Sequence, residues 1–479
     1  MEQTVHATLA QVLPLFAGAR LAGRLDTAFA GVSTDSRQAG IGSLFVALRG
    51  ERFDAHDFLH DVARQGVAAV VVDALPEGWD TDKIAVIVVP DTLVALGRIA
   101  NFWRRQFDLP VIGVTGSNGK TTVKEMLAAI LAAAYGEQDR LATRGNLNNE
   151  IGVPLTLFRL AAHHDAAVIE MGMNHPGEIA RLAAIAEPTV AMVNNAQREH
   201  QEFMHTVAAV ARENGAVLAA LPQDGVAVFP HGDEFTPLWQ ELAGGRRVLR
   251  FGLSKEAEVS CTHRAAEHFG SDLFVTVRQP DGTLEQFFVG LQAAGEHNVK
   301  NALAAVACAF GAGIKLDAIK RGLEAFAPVA GRLQQKRAVN GATVIDDTYN
   351  ANPDSARAAI DVLAQAAAPR ILVLGEMGEV GTQGQQFHEE IGAYAAAKGI
   401  EHVLATGGLA RHMVDSAQGA ESGTVVEYFE QFDGLLAALD ALLAGRPDAT
   451  VLIKGSRFMK MERAVQHLIG SNNNNKEAH

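Results

Sequence analysis

Short apolar runs rich in valine and isoleucine recur along the chain, each closed by polar residues, glycine or proline. IAVIVV (84–89), VIGVT (111–115), AAVIE (166–170), TVAMV (189–193), GVAVF (225–229), ILVLG (371–375) and TVLIK (450–454) predict strands. Alanine-rich stretches with apolar residues three and four apart lie between them. One such face is Val123, Met126, Leu127, Ile130, Leu131 and Ala134. Strand and helix patterns that alternate almost throughout predict parallel βαβ units and an α/β fold. No repeat of fixed period is present.

The pattern breaks twice. RRQFDLP (104–110) is charged and ends in proline, and AFAPVAGRLQ (325–334) carries a proline and a glycine between a helical segment and a fresh strand. The expected blocks are 1–107, 108–328 and 329–470, followed by a polar tail, SNNNNKEAH (471–479), expected to be disordered. A length of 479 residues is too great for one ordinary core. The most apolar helical stretch, Met126 to Tyr135, is about half a membrane span, so no membrane insertion is expected. The first residues lack a basic start and a small-residue cleavage site, so export is not expected either. Cys261 and Cys308 are the only cysteines and make neither a disulfide framework nor a metal-ligand spacing, which fits a reducing cytoplasm. A net charge of −14 argues against a general nucleic-acid binder while leaving room for a local anion pocket.

Such a pocket is written at 111–131. A strand hands over to a helix through glycines 113, 116 and 119, followed by Lys120, Thr121 and Thr122. Helix N–H groups and the positive end of the helix dipole converge there. Gly116, Ser117, Asn118 and Gly119 would wrap a triphosphate, and Lys120 would reach its β- and γ-phosphates. The hydroxyl of Thr121 or Thr122 would ligate Mg²⁺. The strict phosphate-loop pattern would place its first glycine at 114, which is Val114; the spacing here is G-x-x-G-x-x-G-K-T. This loop alone also suits a motor, a switch or a kinase.

Three further constellations share the central block. GNLNNEIGVP (145–154) is too rich in asparagine for a core segment. VIEMGMNHPGEI (168–179) ends a strand in Glu170, where a carboxylate beside a phosphate loop can hold Mg²⁺. NNAQREHQEFM (194–204) carries His200 after another strand, and a metal role is arguable for it.

Together with GVSTDSRQAGIGSLFVALRGERFDAHDF (31–58), DDTYNANPDS (346–355), LGEMGEVG (374–381) and KGSRFMKME (454–462), these motifs resemble the ATP-dependent Mur ligase superfamily over nearly the whole chain. The DDTYNANP run, and the lack of a DNPR-like run, resemble its dipeptide-adding branch. Folylpolyglutamate synthase, of the same superfamily, lacks a domain like the 31–58 block. The resemblance implies three domains: one for a uridine nucleotide, a central P-loop ATPase domain on a parallel sheet, and a Rossmann-like C-terminal domain. It implies a cytoplasmic monomer of peptidoglycan precursor synthesis. Such an enzyme uses ATP and Mg²⁺ to join UDP-N-acetylmuramoyl tripeptide to D-alanyl-D-alanine through an acyl phosphate. A nucleotide switch that forms no amide bond is the rival from another class.

The resemblance also implies roles. Lys120 stabilises the transferring phosphoryl, Thr121 and Glu170 bind a first Mg²⁺, and His200 binds a second. Asn298, Asp347, Tyr349, Asn350 and Asn352 contact the ribose and adenine of ATP, and Arg332 approaches the γ-phosphate. Ser33, Asp35, Ser36, Arg37, Asp54 and His56 form the uridine-nucleotide end, though Arg37 equally suits a structural ion pair. Asn146, Asn148 and Asn149 face substrate. Lys454, Ser456 and Arg457 stand near a peptide carboxylate, or simply start a solvated helix. One position departs from the family, since many members carry a carbamylated lysine where this chain has Asn214. Glu213, Asn214 or neither serves the second metal instead. Because the ATP contacts are split between two blocks, the catalytic set is expected to be complete only when they close.

Overall fold

The computed structural model describes residues 5–50, 53–267, 269–418 and 423–470. The expected tail at 471–479 lies outside these residues.

Each block of the chain builds its own main sheet. The first has five strands in the order Arg20–Ala22, Ala85–Val88, Ala69–Val72, Leu44–Val46, Val32–Ser33; the outermost pair is antiparallel and the rest are parallel. The segment read as a break at 104–110 is a packed junction. Arg104 is buried and donates to the carbonyls of Ala186 (3.1 Å) and Phe107 (2.8 Å), and the Trp103 indole donates to Leu160 O at 3.1 Å. One apolar cluster therefore runs from Val5 through Ile99 and Val111 to Ala243.

The central sheet has nine strands. In spatial order the parallel ones are Arg140–Ala142, Ala166–Glu170, Val111–Thr115, Val190–Val193, Val226–Pro230, Arg247–Gly252 and Val259–Ala265. Ser271–Arg278 and Leu284–Leu291 complete it in antiparallel fashion, a departure from the purely parallel pattern expected. Ser271–Arg278 buries alternate residues and Leu284–Leu291 is largely exposed at its start, so neither shows the continuous apolar run of a sheet covered on both faces.

The third sheet runs Gln334–Arg337, Thr343–Asp347, Thr450–Lys454, Arg370–Gly375, His402–Thr406, Val425–Phe429. All its pairs but the first are parallel. The last-made strand, Thr450–Lys454, inserts between the first two parallel strands made, as in a doubly wound sheet. Among the described residues no helix is long and apolar enough to cross a membrane.

Candidate active site

The Val111–Thr115 strand lies mid-sheet, and the chain leaves it to return beyond its neighbour Ala166–Glu170 as Arg140–Ala142. That crossing opens a crevice at the carboxyl ends of the strands, the usual ligand position in such sheets. Residues 117–119 line it and lead into the helix Lys120–Tyr135. Gly119 has φ +83°, and a Cβ there would sit 2.4 Å from Asn301 Oδ1 and 2.6 Å from Asn194 Nδ2. Only glycine fits. Three loop N–H groups are taken: Gly116 by Asn214 Oδ1 (3.0 Å), Ser117 by Asn195 O (3.1 Å) and Asn118 by Asn195 Oδ1 (2.9 Å). Gly119, Lys120, Thr121 and Thr122 border the crevice, where first-turn N–H groups have no carbonyl within the helix.

Lys120 Nζ rests on the carbonyls of Gly116 and Ser117 and lies 3.3 Å from Glu199 Oε2. Thr121 Oγ1 donates to Glu170 Oε1 at 3.2 Å, and Asn148 Nδ2 donates to the same oxygen at 2.8 Å. The other oxygen, Glu170 Oε2, is buried with no hydrogen-bond partner among the described residues. Across the loop, Arg332 Nη2 donates to Thr121 Oγ1 at 3.0 Å and its Cζ lies over the Tyr349 ring, 4.1 Å from the centroid, while its buried Nε has no partner among the described residues. An orphaned acceptor and an orphaned donor thus flank one phosphate loop. The first suits a divalent cation and the second a phosphate oxygen. Among the described residues no three His, Cys, Asp or Glu side chains cluster as a metal cage. A cation here would complete its shell with phosphate and water, as Mg²⁺ does.

The loop after Val190–Val193 carries groups that inspection of the sequence passed over. Asn194 donates to Asn118 O (2.7 Å) and Asn301 Oδ1 (2.8 Å), and Asn301 donates to Asn298 Oδ1 (3.1 Å). Asn298 is therefore part of an amide chain that braces the loop, and its own Nδ2 is given to Ala294 O. Arg198 donates to Asp354 (2.7 Å) and Glu390 (2.6 Å) of the third block. Burial opposes its charge, but the two carboxylates outweigh burial and raise its pKa. His200, expected free for metal, has Nδ1 2.7 Å from Glu379 Oε2, and that contact holds the Glu379 carboxyl below its usual range. Glu213 cannot serve a metal as placed: its oxygens accept the N–H groups of Gly177 (2.8 Å) and Ile179 (2.9 Å), at the start of the helix Glu178–Ala186.

The third block forms the opposite wall. Asn352 caps the helix Pro353–Ala364 and its Nδ2 donates to Asn118 Oδ1 at 2.9 Å. Tyr349 and Asn350 line the crevice. Asp347 accepts Leu333 N at 3.1 Å and Lys454 Nζ at 2.6 Å. Lys454 is 2% exposed and also donates to Asn350 O, so its ammonium is held by partners inside the fold at the border of the crevice. Ser456 accepts Gly378 N (2.7 Å) and donates to Ala351 O (3.2 Å), buried likewise. Ser456 also stands at the N-cap of the short exposed 3₁₀ helix Arg457–Met459, so the helix-start reading holds for it and not for Lys454. Arg457 alone of the three is exposed, 5.9 Å from the Tyr349 ring. Asn146 and Asn149 both border the crevice, and Asn149 Oδ1 accepts Gly152 N (2.8 Å) at the start of the helix Gly152–Leu157. The crevice holds about 1530 Å³ and spans the central and third blocks.

The uridine-end residues are not on this crevice. They follow the parallel strands of the first sheet, at a common edge. Arg37 makes a two-pronged pair with Asp35 (2.8 and 2.9 Å), Ser33 Oγ donates to Asp35 O, and Gln65 donates to Ser36 O. His56 Nδ1 lies 2.6 Å from Asp54 Oδ1, and Arg49, unnoticed in the sequence, bridges Asp54 and Asp73.

Three family profiles match in chain order: Mur ligase family, catalytic domain (28–104); Mur ligase middle domain (114–309); and Mur ligase, glutamate ligase domain (331–457). The UDP-N-acetylmuramoyl-tripeptide–D-alanyl-D-alanine ligase of Escherichia coli (strain K12) is 39% identical over 97% of this chain and 98% of its own. A crystal structure of MurF from Acinetobacter baumannii superposes with a TM-score of 0.89 at 34% identity, covering 98% and 100% of the two chains. The MurF ligase from Thermotoga maritima in complex with ADP gives 0.80 at 25% identity, over 92% and 97%. Likeness of this length, in sequence and in fold, leaves one assignment: the chain belongs to the Mur ligase family.

Proposed function

We propose that the protein is an ATP-dependent ligase that joins D-alanyl-D-alanine to UDP-N-acetylmuramoyl tripeptide, in cytoplasmic synthesis of peptidoglycan precursor. The pairing of orphaned Glu170 Oε2 with orphaned Arg332 Nε around the phosphate loop supports it most directly. ADP in the Thermotoga maritima ligase and the substrates named for the Escherichia coli relative support it independently.

A carboxylate oxygen of the tripeptide attacks the γ-phosphorus of ATP, and the bond to the ADP oxygen breaks. The dipeptide amine then attacks the acyl carbon, phosphate leaves, and the nitrogen gives up a proton. Three anionic groups must meet in one crevice, so positioning and charge neutralisation carry the catalysis. Lys120 moves from its loop carbonyls onto the transferring phosphoryl. Arg332, held over the Tyr349 ring, meets the γ-phosphate from the third block. Thr121 and Glu170 would hold the first Mg²⁺, with Asn148 orienting Glu170. Bound Mg²⁺ neutralises phosphate charge and lowers the cost of nucleophilic approach. His200, at present paired with Glu379, would be the residue to hold a second cation. Residues 1–107 hold the uridine nucleotide at the Asp35–Asp54 edge, 108–328 hold the triphosphate, 329–470 close over it, and the protein works as a monomer.

The test is phosphate release from ATP with each acceptor alone and with both, together with mass detection of the product. Release that requires both and yields a UDP-linked pentapeptide supports the reading. Release indifferent to either substrate contradicts it.

A further inference from the structure

One buried carboxylate in the crevice has no task in the mechanism above. Glu199 lies in the loop after Val190–Val193, 7% exposed and bordering the crevice. Its Oε2 is 3.3 Å from Lys120 Nζ, and its Oε1 accepts from Asn214 Nδ2 at 3.4 Å. Asn214 Oδ1 accepts the Gly116 N–H at 3.0 Å, so a single amide ties this carboxylate to the phosphate loop.

Lys120 is the residue that must travel. When a nucleotide draws its ammonium onto the phosphates, Glu199 loses the cation with which it is paired. A buried carboxylate stripped of its partner is costly unless another positive charge arrives. A nucleotide brings one, because it binds as a complex with a divalent cation. We propose that Glu199 exchanges Lys120 for the second divalent cation when nucleotide binds, serving beside His200 as that cation's anionic ligand while Asn214 fixes its orientation. This rests on the ATP- and Mg²⁺-dependent reading of the site. It also gives Asn214 a purpose: the negative charge that a carbamylated lysine would bring to this place comes from Glu199 and needs no carbon dioxide.

Manganese(II) is the probe. Its binding is counted by electron paramagnetic resonance with a non-hydrolysable ATP analogue and UDP-N-acetylmuramoyl tripeptide present, for wild type, Glu199→Gln and Glu170→Gln. Wild type takes up a second manganese ion, and bicarbonate-free buffer leaves the count unchanged. Glu199→Gln keeps the first ion and binds the second about tenfold more weakly or worse; Glu170→Gln loses the first. Calorimetry of metal-free ADP reports that the variant is folded, with affinity equal to wild type or tighter because Lys120 is released. Glu199→Gln binding both ions with wild-type affinity would overturn the proposal, as would a wild-type count that falls without bicarbonate. A wild type that binds no manganese with the nucleotide would instead bring down the Mg²⁺ reading itself, and this proposal with it.

Discussion

A methyl group at position 119 would meet two amide side chains within 2.6 Å, on a backbone already at φ +83°. Gly119→Ala is therefore expected to lose about 1–3 kcal/mol of stability. Thermal unfolding with and without ADP checks this, and the ADP-induced rise in Tm should shrink as well. Lys454 supplies a second residue-scale expectation. Its ion pair with Asp347 is buried, and Lys454→Met strands a carboxylate at a cost of about 3–5 kcal/mol. A lower denaturant midpoint with unchanged KM for substrates supports a structural role; an unchanged midpoint with raised KM would restore the substrate-contact reading. Lys120, Thr121 and Glu170 were legible because their meaning is local, at the hand-over from strand to helix or at a strand end. Lys454 was not, since its partner is 107 residues away and KGSR looks the same whether the lysine faces solvent or core.

At the scale of elements, the continuous apolar runs became strands close to their expected bounds, because burial on both faces of a parallel sheet leaves little room for polar side chains. The antiparallel end of the central sheet escaped notice for the opposite reason, as alternate residues there meet water. Its strand Val259–Ala265 carries Cys261, whose thiol burial pushes up to about 11, and burial raises Cys308 of the helix Glu296–Gly311 as well. At pH 8 the Cys261 thiolate should be about 100-fold scarcer than for an ordinary thiol of pKa 9.0. Alkylation in native buffer should leave both cysteines unmodified while urea exposes both; rapid native labelling would show that the sheet end opens.

At the scale of the whole molecule, the central and third blocks are joined by Asn118–Asn352, Thr121–Arg332, His200–Glu379 and the bridge from Arg198 to Asp354 and Glu390. None of these pairs could be read from spacing, because the closing of one domain on another is not a local property. Arg198→Ala should remove on the order of 1 kcal/mol from closure, seen as a larger radius of gyration by small-angle scattering and a several-fold fall in kcat/KM. Arg198 holds the Glu390 carboxyl below its usual range. A depressed folded-state pKa means that the bridge contributes fully above the unfolded value, about 4.3, and fades as pH falls through the folded one. Scattering should thus be constant from about pH 8 to 5 and show opening only in more acid solution; opening near neutrality would contradict the bridge.

Activation of a carboxylate at the phosphate loop is the step on which amide formation turns. It is tested most directly with tripeptide substrate carrying ¹⁸O in its terminal carboxylate, ATP and D-alanyl-D-alanine. One labelled oxygen should pass into the released phosphate as the pentapeptide forms, because the attacking carboxylate oxygen leaves bound to phosphorus. Phosphate free of label would mean that water takes the phosphoryl group, and the ligase account would fail.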